Sequence, residues 1–136
     1  GVWNMLDLMH RTDDQAQEMI EMAITSLWHW KQRQDCNDTN LSVGYWQVSR
    51  AYAVVGLADE ARRYAELCLA VSRRPGVLPF YLGYAYEALA RAEQVGGNAS
   101  IAKQHLAEAR RVADSLPDPE AKQLLLADLK ALEGQS

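Results

Sequence analysis

Residues 45–71, YWQVSRAYAVVGLADEARRYAELCLAV, recur in outline at an offset of 41: Tyr45, Arg50, Ala51, Val54, Gly56, Ala58, Ala61 and Val71 are answered by Tyr86, Arg91, Ala92, Val95, Gly97, Ala99, Ala102 and Val112. An internal repeat constrains the fold more than any composition value does, because each copy is one supersecondary unit that must bury its open face on a neighbour. In the first copy Leu41, Tyr45, Val48, Tyr52 and Val55 fall at helical spacing. Gly56 then offers the left-handed conformation that closes a helix at little steric cost. Beyond it, Ala61, Ala65 and Cys68 form one line and Tyr64, Leu67 and Val71 another. The small residues of the first line let two helix axes approach closely. Each copy is therefore expected to be an antiparallel pair of amphipathic helices.

Local signals extend this pattern to both ends. Val2, Trp3, Leu6 and Met9 read as the tail of a helix ending near His10, and the abrupt start at Gly1 reads as a cut rather than a native terminus. Thr12 and Gln15 fit a capping box that opens a long helix, with Asp13 and Asp14 at its positive end. Ala16, Ile20, Ala23, Leu27 and Trp30 give that helix its stripe, widened by Met19 and Ile24. The turn-rich run from Gln34 should end in an N-cap at Thr39 or Asn40, before a helix over 41–55. Pro75-Gly76 ends the first hairpin, Pro79 restarts the chain, and Gly96-Gly97 followed by Asn98 divides the second. Pro117-Asp118-Pro119 makes a stop, a cap and a restart before a final helix carrying Leu124, Leu125, Leu126, Leu129 and Leu132. No segment alternates as a half-buried strand does, so the expectation is an all-α chain of about seven helices. It forms a single domain over 1–136, with N-terminal helices in 1–33, hairpins at 41–73 and 78–115, and a capping helix at 118–133.

A chain of 136 residues suffices for one hydrophobic core. Its net charge of −4 argues against an electrostatic grip on nucleic acid. Its apolar runs are interrupted by charge well short of the ~20 residues a membrane span requires. Cys36 and Cys68 have no metal-type spacing, and a reducing, cytoplasmic setting is expected, without a disulfide. Asn37, Asn40 and Asn98 begin N-x-S/T triplets but read as loop and cap residues.

Tyr45, Ser49, Tyr52, Gly56, Ala61, Ala65 and Cys68, followed by Tyr86, Ala90, Gly97, Ala102, Leu106 and Ala109, resemble the tetratricopeptide repeat over about residues 41–115. That family alternates aromatic and small residues on a first helix, then places glycine and alanines on the second. The chain departs from it in two ways: its copies are 41 apart rather than about 34, and Glu93 replaces the second aromatic. Short bacterial members of the family are similar. The resemblance implies stacked antiparallel hairpins in a short α-solenoid, and a non-enzymatic scaffold that binds a protein or peptide, without cofactor. It also implies that the first helix of each copy lines a concave face.

Trp46, Arg50 and Ala53 of the first copy and Tyr84, Glu87 and Arg91 of the second would point into that face. Two guanidinium groups flanked by aromatic rings suit a carboxylate or acidic peptide. The competing arrangement is an ion pair of Glu87 with Arg50 or Arg91 between neighbouring helices. A different class of function would be a small-molecule site or enzyme whose pocket joins Trp28 and His29 to Trp46, Tyr84 and Glu87, with His29 or Glu87 carrying a proton. On a helix Trp28 and Trp30 diverge by about 200°, so Trp30 is assigned to the core and Trp28 to packing with Ile24 against another hairpin or a second copy in a homodimer. His105 and Glu108 share a face but do not complete a metal site. Asp14, Glu18 and Glu21 read as a solvated edge. Hydrolase, metalloprotease and nucleotide-loop motifs are absent, so no catalytic residue is assigned.

Overall fold

A computed structural model of the chain describes residues 13–134. Six helices run through them: α1 Asp13–Gln32, α2 Asp38–Val54, α3 Ala58–Ser72, α4 Pro79–Val95, α5 Ala99–Ser115 and α6 Pro119–Glu133, with no strand among the described residues. The helix count among the described residues is thus six, against about seven expected for the whole chain. The helix expected over 2–10, and the Thr12 half of the first capping box, lie outside the described residues.

Most boundaries follow from the residues that predicted them. Pro79 and Pro119 occupy the first turns of α4 and α6, and the Asp118 carboxylate accepts from the Glu120 N–H at 3.2 Å. Gly56 and Gly97 follow α2 and α4 with φ of +86° and +81°, a region where a β-carbon is strained. Two caps differ from expectation. The N-cap of α2 is Asn37, not Thr39 or Asn40, because Asn37 and Asn40 exchange side-chain and backbone hydrogen bonds of 2.8 and 3.0 Å. This reciprocal box satisfies two free donors and draws the helix back to Asp38. Asn98 stands at the N-cap position of α5 but makes no side-chain cap; its amide donates instead to Glu93 Oε2 at 3.1 Å.

The hairpins α2–α3 and α4–α5 stack through α3 on α4. Helix α4 also meets α2 on one side and α6 on the other, whereas α3 and α5 do not meet. This asymmetry makes α4 the centre of the packing and leaves the α2–α4–α6 row as one face. Ala61, Ala65 and Cys68 are fully buried, as the small-residue line required. Ala53 joins Ala61 and Ala92 in one cluster, so it packs between helices rather than lining an open face. Ser49 takes the small-residue position of α2, and its hydroxyl donates to the Ala61 carbonyl at 2.8 Å.

At the N-terminal side, Ile20 and Leu27 bury the α1 stripe, and Gly44 of α2 permits the approach: a β-carbon there would lie 2.9 Å from Leu27 Cδ1. Ile24 and Trp28 remain exposed on α1, so Trp28 does not pack into another described hairpin. At the other end Leu125, Leu129 and Leu132, spaced on one helical face, bury against α4 and α5. Leu124 falls off that face and is 53% exposed.

Candidate functional site

On α2, Trp46 and Arg50 are one turn apart, and the Arg50 guanidinium lies over the indole, 5.5 Å from its centroid. The indole N–H donates to Glu87 Oε1 of α4 at 2.8 Å. Trp46 and Glu87 are separated by 41 residues, so the repeat sets equivalent positions of α2 and α4 face to face. Glu87 is 1% exposed, which a carboxylate tolerates only when it is paired and hydrogen-bonded. Arg91, one turn further along α4, supplies the pairing with two bonds, 3.0 Å to Oε1 and 3.2 Å to Oε2. The Glu87 ion pair is therefore formed within α4 by Arg91, and Arg50 is left without an ion pair among the described residues.

Arg50 is open to solvent on one side and crowded by protein on the other. That partial desolvation, followed by repulsion from Arg91, holds its pKa below the ordinary guanidinium value, with Glu87 and Asp128 opposing. It remains a cation at every physiological pH. The five residues expected on one face, Trp46, Arg50, Tyr84, Glu87 and Arg91, thus do gather on α2 and α4, but in two roles. Glu87 and Arg91 neutralise each other inside the packing, and Trp46, Arg50 and Tyr84 reach the surface.

Beside Trp46 a cavity of about 250 Å³ opens between α2, α4 and α6. Its walls are aromatic. Trp46 and Tyr84 meet edge to face at 6.0 Å, Phe80 and Tyr84 at 5.0 Å, and Phe80 and Tyr81 at 5.4 Å. Val43 and Leu124 complete the apolar lining, and Asp128 of α6 is its one charged residue. The Tyr84 hydroxyl donates to Asp128 Oδ2. Burial first, then that bond and the Asp128 charge, push the Tyr84 pKa well above the phenolic range, so its proton stays on.

Phe80, Tyr81 and Asp128 were not singled out from the sequence, although signals for them exist. Phe80 and Tyr81 precede Tyr84 by four and three residues, so all three share one edge of α4. Leu124 and Asp128 lie four apart beside the buried Leu125–Leu129 face, so they share the adjoining edge of α6.

Trp28 and His29 are placed elsewhere. They pack edge to face at 5.3 Å on α1, and His29 lines a cavity with Trp30 and Arg33 that excludes Trp46, Tyr84 and Glu87. The single pocket drawn from all five is not formed among the described residues.

The outer side of α4 carries a second buried carboxylate. Glu93, 4% exposed, accepts from Arg62 Nε of α3 and from Asn98, while Arg62 also bonds Asp59 at 2.9 Å. The substitution of glutamate for the repeat's aromatic is thereby compensated by a cation from the preceding helix. Nearby, His105 stacks on Tyr86, ring centroids 6.4 Å apart. Burial depresses its pKa below 6.5, outweighing the attraction of Glu93 and Glu108. A depressed folded-state pKa stabilises the fold above the unfolded value and loses that contribution as pH falls through it. Urea unfolding at about pH 7.5 and about pH 5.5 should show wild-type stability falling over this interval, and His105→Gln should flatten the fall. An unchanged pH slope in the variant would remove His105 as its source.

Among the described residues no helix is long and apolar enough to cross a membrane, and no group of three His, Cys, Asp or Glu side chains is arranged to hold a metal. Comparison of the chain with protein-family models, with curated proteins and with solved structures gives no match.

Proposed function

We propose that this chain is a tetratricopeptide-like helical-repeat module that binds a protein or peptide segment along the α2–α4–α6 row. The observation that carries the reading is the aromatic cavity between these helices with Arg50 at its side, exposed and without an ion-pair partner among the described residues. The cavity accepts one large side chain, and Arg50, pre-positioned on the Trp46 ring, accepts a carboxylate of the same segment. Glu87 and Arg91 serve this face indirectly: their pair neutralises the floor, and Glu87 fixes the indole through its N–H. The pocket enzyme built on His29 and Glu87 is not favoured, because His29 lines another cavity and both Glu87 oxygens are engaged.

Selection from a displayed peptide library on the immobilised protein should yield segments that place a carboxylate beside a large side chain. Arg50→Glu should weaken them by about tenfold or more, the worth of one charge-assisted hydrogen bond, without shifting the melting temperature. No enrichment, or enriched peptides indifferent to Arg50→Glu, would refute the assignment. Arg91 is unsuitable as a binding probe, since changing it strands Glu87.

A further inference from the structure

We propose that the aromatic box bounded by Trp46, Phe80, Tyr81, Tyr84 and Asp128 binds a substituted ammonium group. The inference rests on the reading of the α2–α4–α6 row as the binding face and names the chemistry of its deepest subsite. Three successive ring pairs stand nearly at right angles: Phe80–Tyr81 at 80°, Phe80–Tyr84 at 71° and Trp46–Tyr84 at 89°. Perpendicular rings make the walls of a box, in which a cation meets the negative faces of some rings while others close the sides. The volume of about 250 Å³ lies below the range in which drug-sized ligands are held, and suits one head group or one side chain.

An aromatic box alone would accept a neutral aliphatic group equally well. Asp128 separates the two. One of its carboxylate oxygens takes the Tyr84 hydroxyl, and the other accepts from no described residue. Its negative charge stands at the wall of the box, where it attracts an ammonium group inside and offers a neutral occupant nothing. Methyl substituents on nitrogen spread the charge and lower its cost of dehydration, so a quaternary head fits this lining better than a bare ammonium. Arg50 stands on the outer side, so a cation in the box and a carboxylate at Arg50 belong to one zwitterionic ligand or segment.

The test uses choline and its neutral carbon isostere, 3,3-dimethylbutan-1-ol, titrated into the full chain. NMR reads the ligand methyl protons and the Trp46 indole N–H. Choline should saturate with its methyl protons moved upfield by the rings, and bind about tenfold or more tighter than the isostere. Asp128→Asn keeps an acceptor for Tyr84 and removes the charge, so it should weaken choline about tenfold and leave the isostere unchanged. Tyr81→Ala, at the half-buried edge, should weaken both. Arg50→Glu should strengthen choline severalfold by removing a neighbouring cation, in contrast to its effect on carboxylate-bearing peptides.

Two peptides, one with lysine and one with trimethyllysine, identify the source. Preference for the trimethylated peptide places the group on the bound segment, and equal weak binding with choline retained makes it a free small molecule. Equal affinity for choline and the isostere, indifference to Asp128→Asn in a chain with unchanged circular dichroism, or saturation by neither ligand would overturn the inference. Peptides selected without any of these ammonium effects would leave the peptide reading standing alone. Choline binding with no selected peptide would do the reverse.

Discussion

Replacing Arg91 with alanine will destabilise the fold by about 3–5 kcal/mol, the cost of removing one partner from a buried ion pair. Glu87 is 1% exposed and the Arg91 side chain 16% exposed, so solvent cannot replace the lost guanidinium. The Trp46 N–H remains on Oε1, but one neutral donor does not compensate a full charge, and Oε2 loses its one donor among the described residues. Urea unfolding should therefore show a lower midpoint at an unchanged slope. Adding Glu87→Gln should recover a large part of the loss, because a neutral amide can keep the indole bond without the buried charge. A loss below about 1 kcal/mol, or no recovery in the double variant, would mean that the buried Glu87 charge does not depend on Arg91 for its compensation. The same reasoning explains why Arg50 and Arg91, identical in the repeat, are not interchangeable. One closes a charge inside the protein, and the other offers a charge to the outside.

The periodicity made the fold legible because its determinants are local. Gly56, Gly97, Pro79 and Pro119 act through φ, and Ala61, Ala65 and Cys68 through size, and none of these depends on what the rest of the chain does. The sequence is ambiguous where two local solutions compete. Asn37, Thr39 and Asn40 are all competent caps, and only the reciprocal Asn37–Asn40 geometry selects among them. Asn98 is likewise competent, but its side-chain amide donates to Glu93 Oε2, the carboxylate oxygen that Arg62 does not take, and so is not at the helix end.

The site was legible to the extent that the repeat reached it. Trp46 and Glu87, like Arg50 and Arg91, hold equivalent positions, so the stacking of copies brings them together. What spacing could not resolve was which arginine pairs with Glu87, because both lie within a helical turn of the α2–α4 contact. Intrahelical i,i+4 geometry gives Arg91 the shorter reach. Asp128 was hidden for a different reason. It lies 44 residues from Tyr84 on a helix outside the repeat, and a charged residue beside a leucine face reads as solvated until α6 is docked.

That docking depends on Gly83, and Gly83→Ala will destabilise the fold by about 2 kcal/mol while disrupting the aromatic box. In an open helix the same change would be worth about 1 kcal/mol of stabilisation. Here the new β-carbon would collide with Leu125 Cδ2 and stand 3.3 Å from Val112 Cγ1. Leu125 is fully buried, so turning its methyl group aside displaces its neighbours in turn and presses on α6, and overpacking of this kind costs typically about 1–3 kcal/mol or more. The magnitude of the collision places the outcome on the destabilising side. Asp128 is three residues further along the same helix, so the displacement also draws its carboxylate from the Tyr84 hydroxyl. Leu125→Ala alone should cost about 2–5 kcal/mol through the cavity it leaves. Combined with Gly83→Ala, the two losses should fall short of their sum by at least about 1 kcal/mol, because the added methyl group occupies space the leucine has vacated. Denaturation of both single variants and the double variant measures this coupling directly. Strict additivity would show that α6 accommodates the methyl group without moving, and that the approach of α6 to α4 is not set by Gly83.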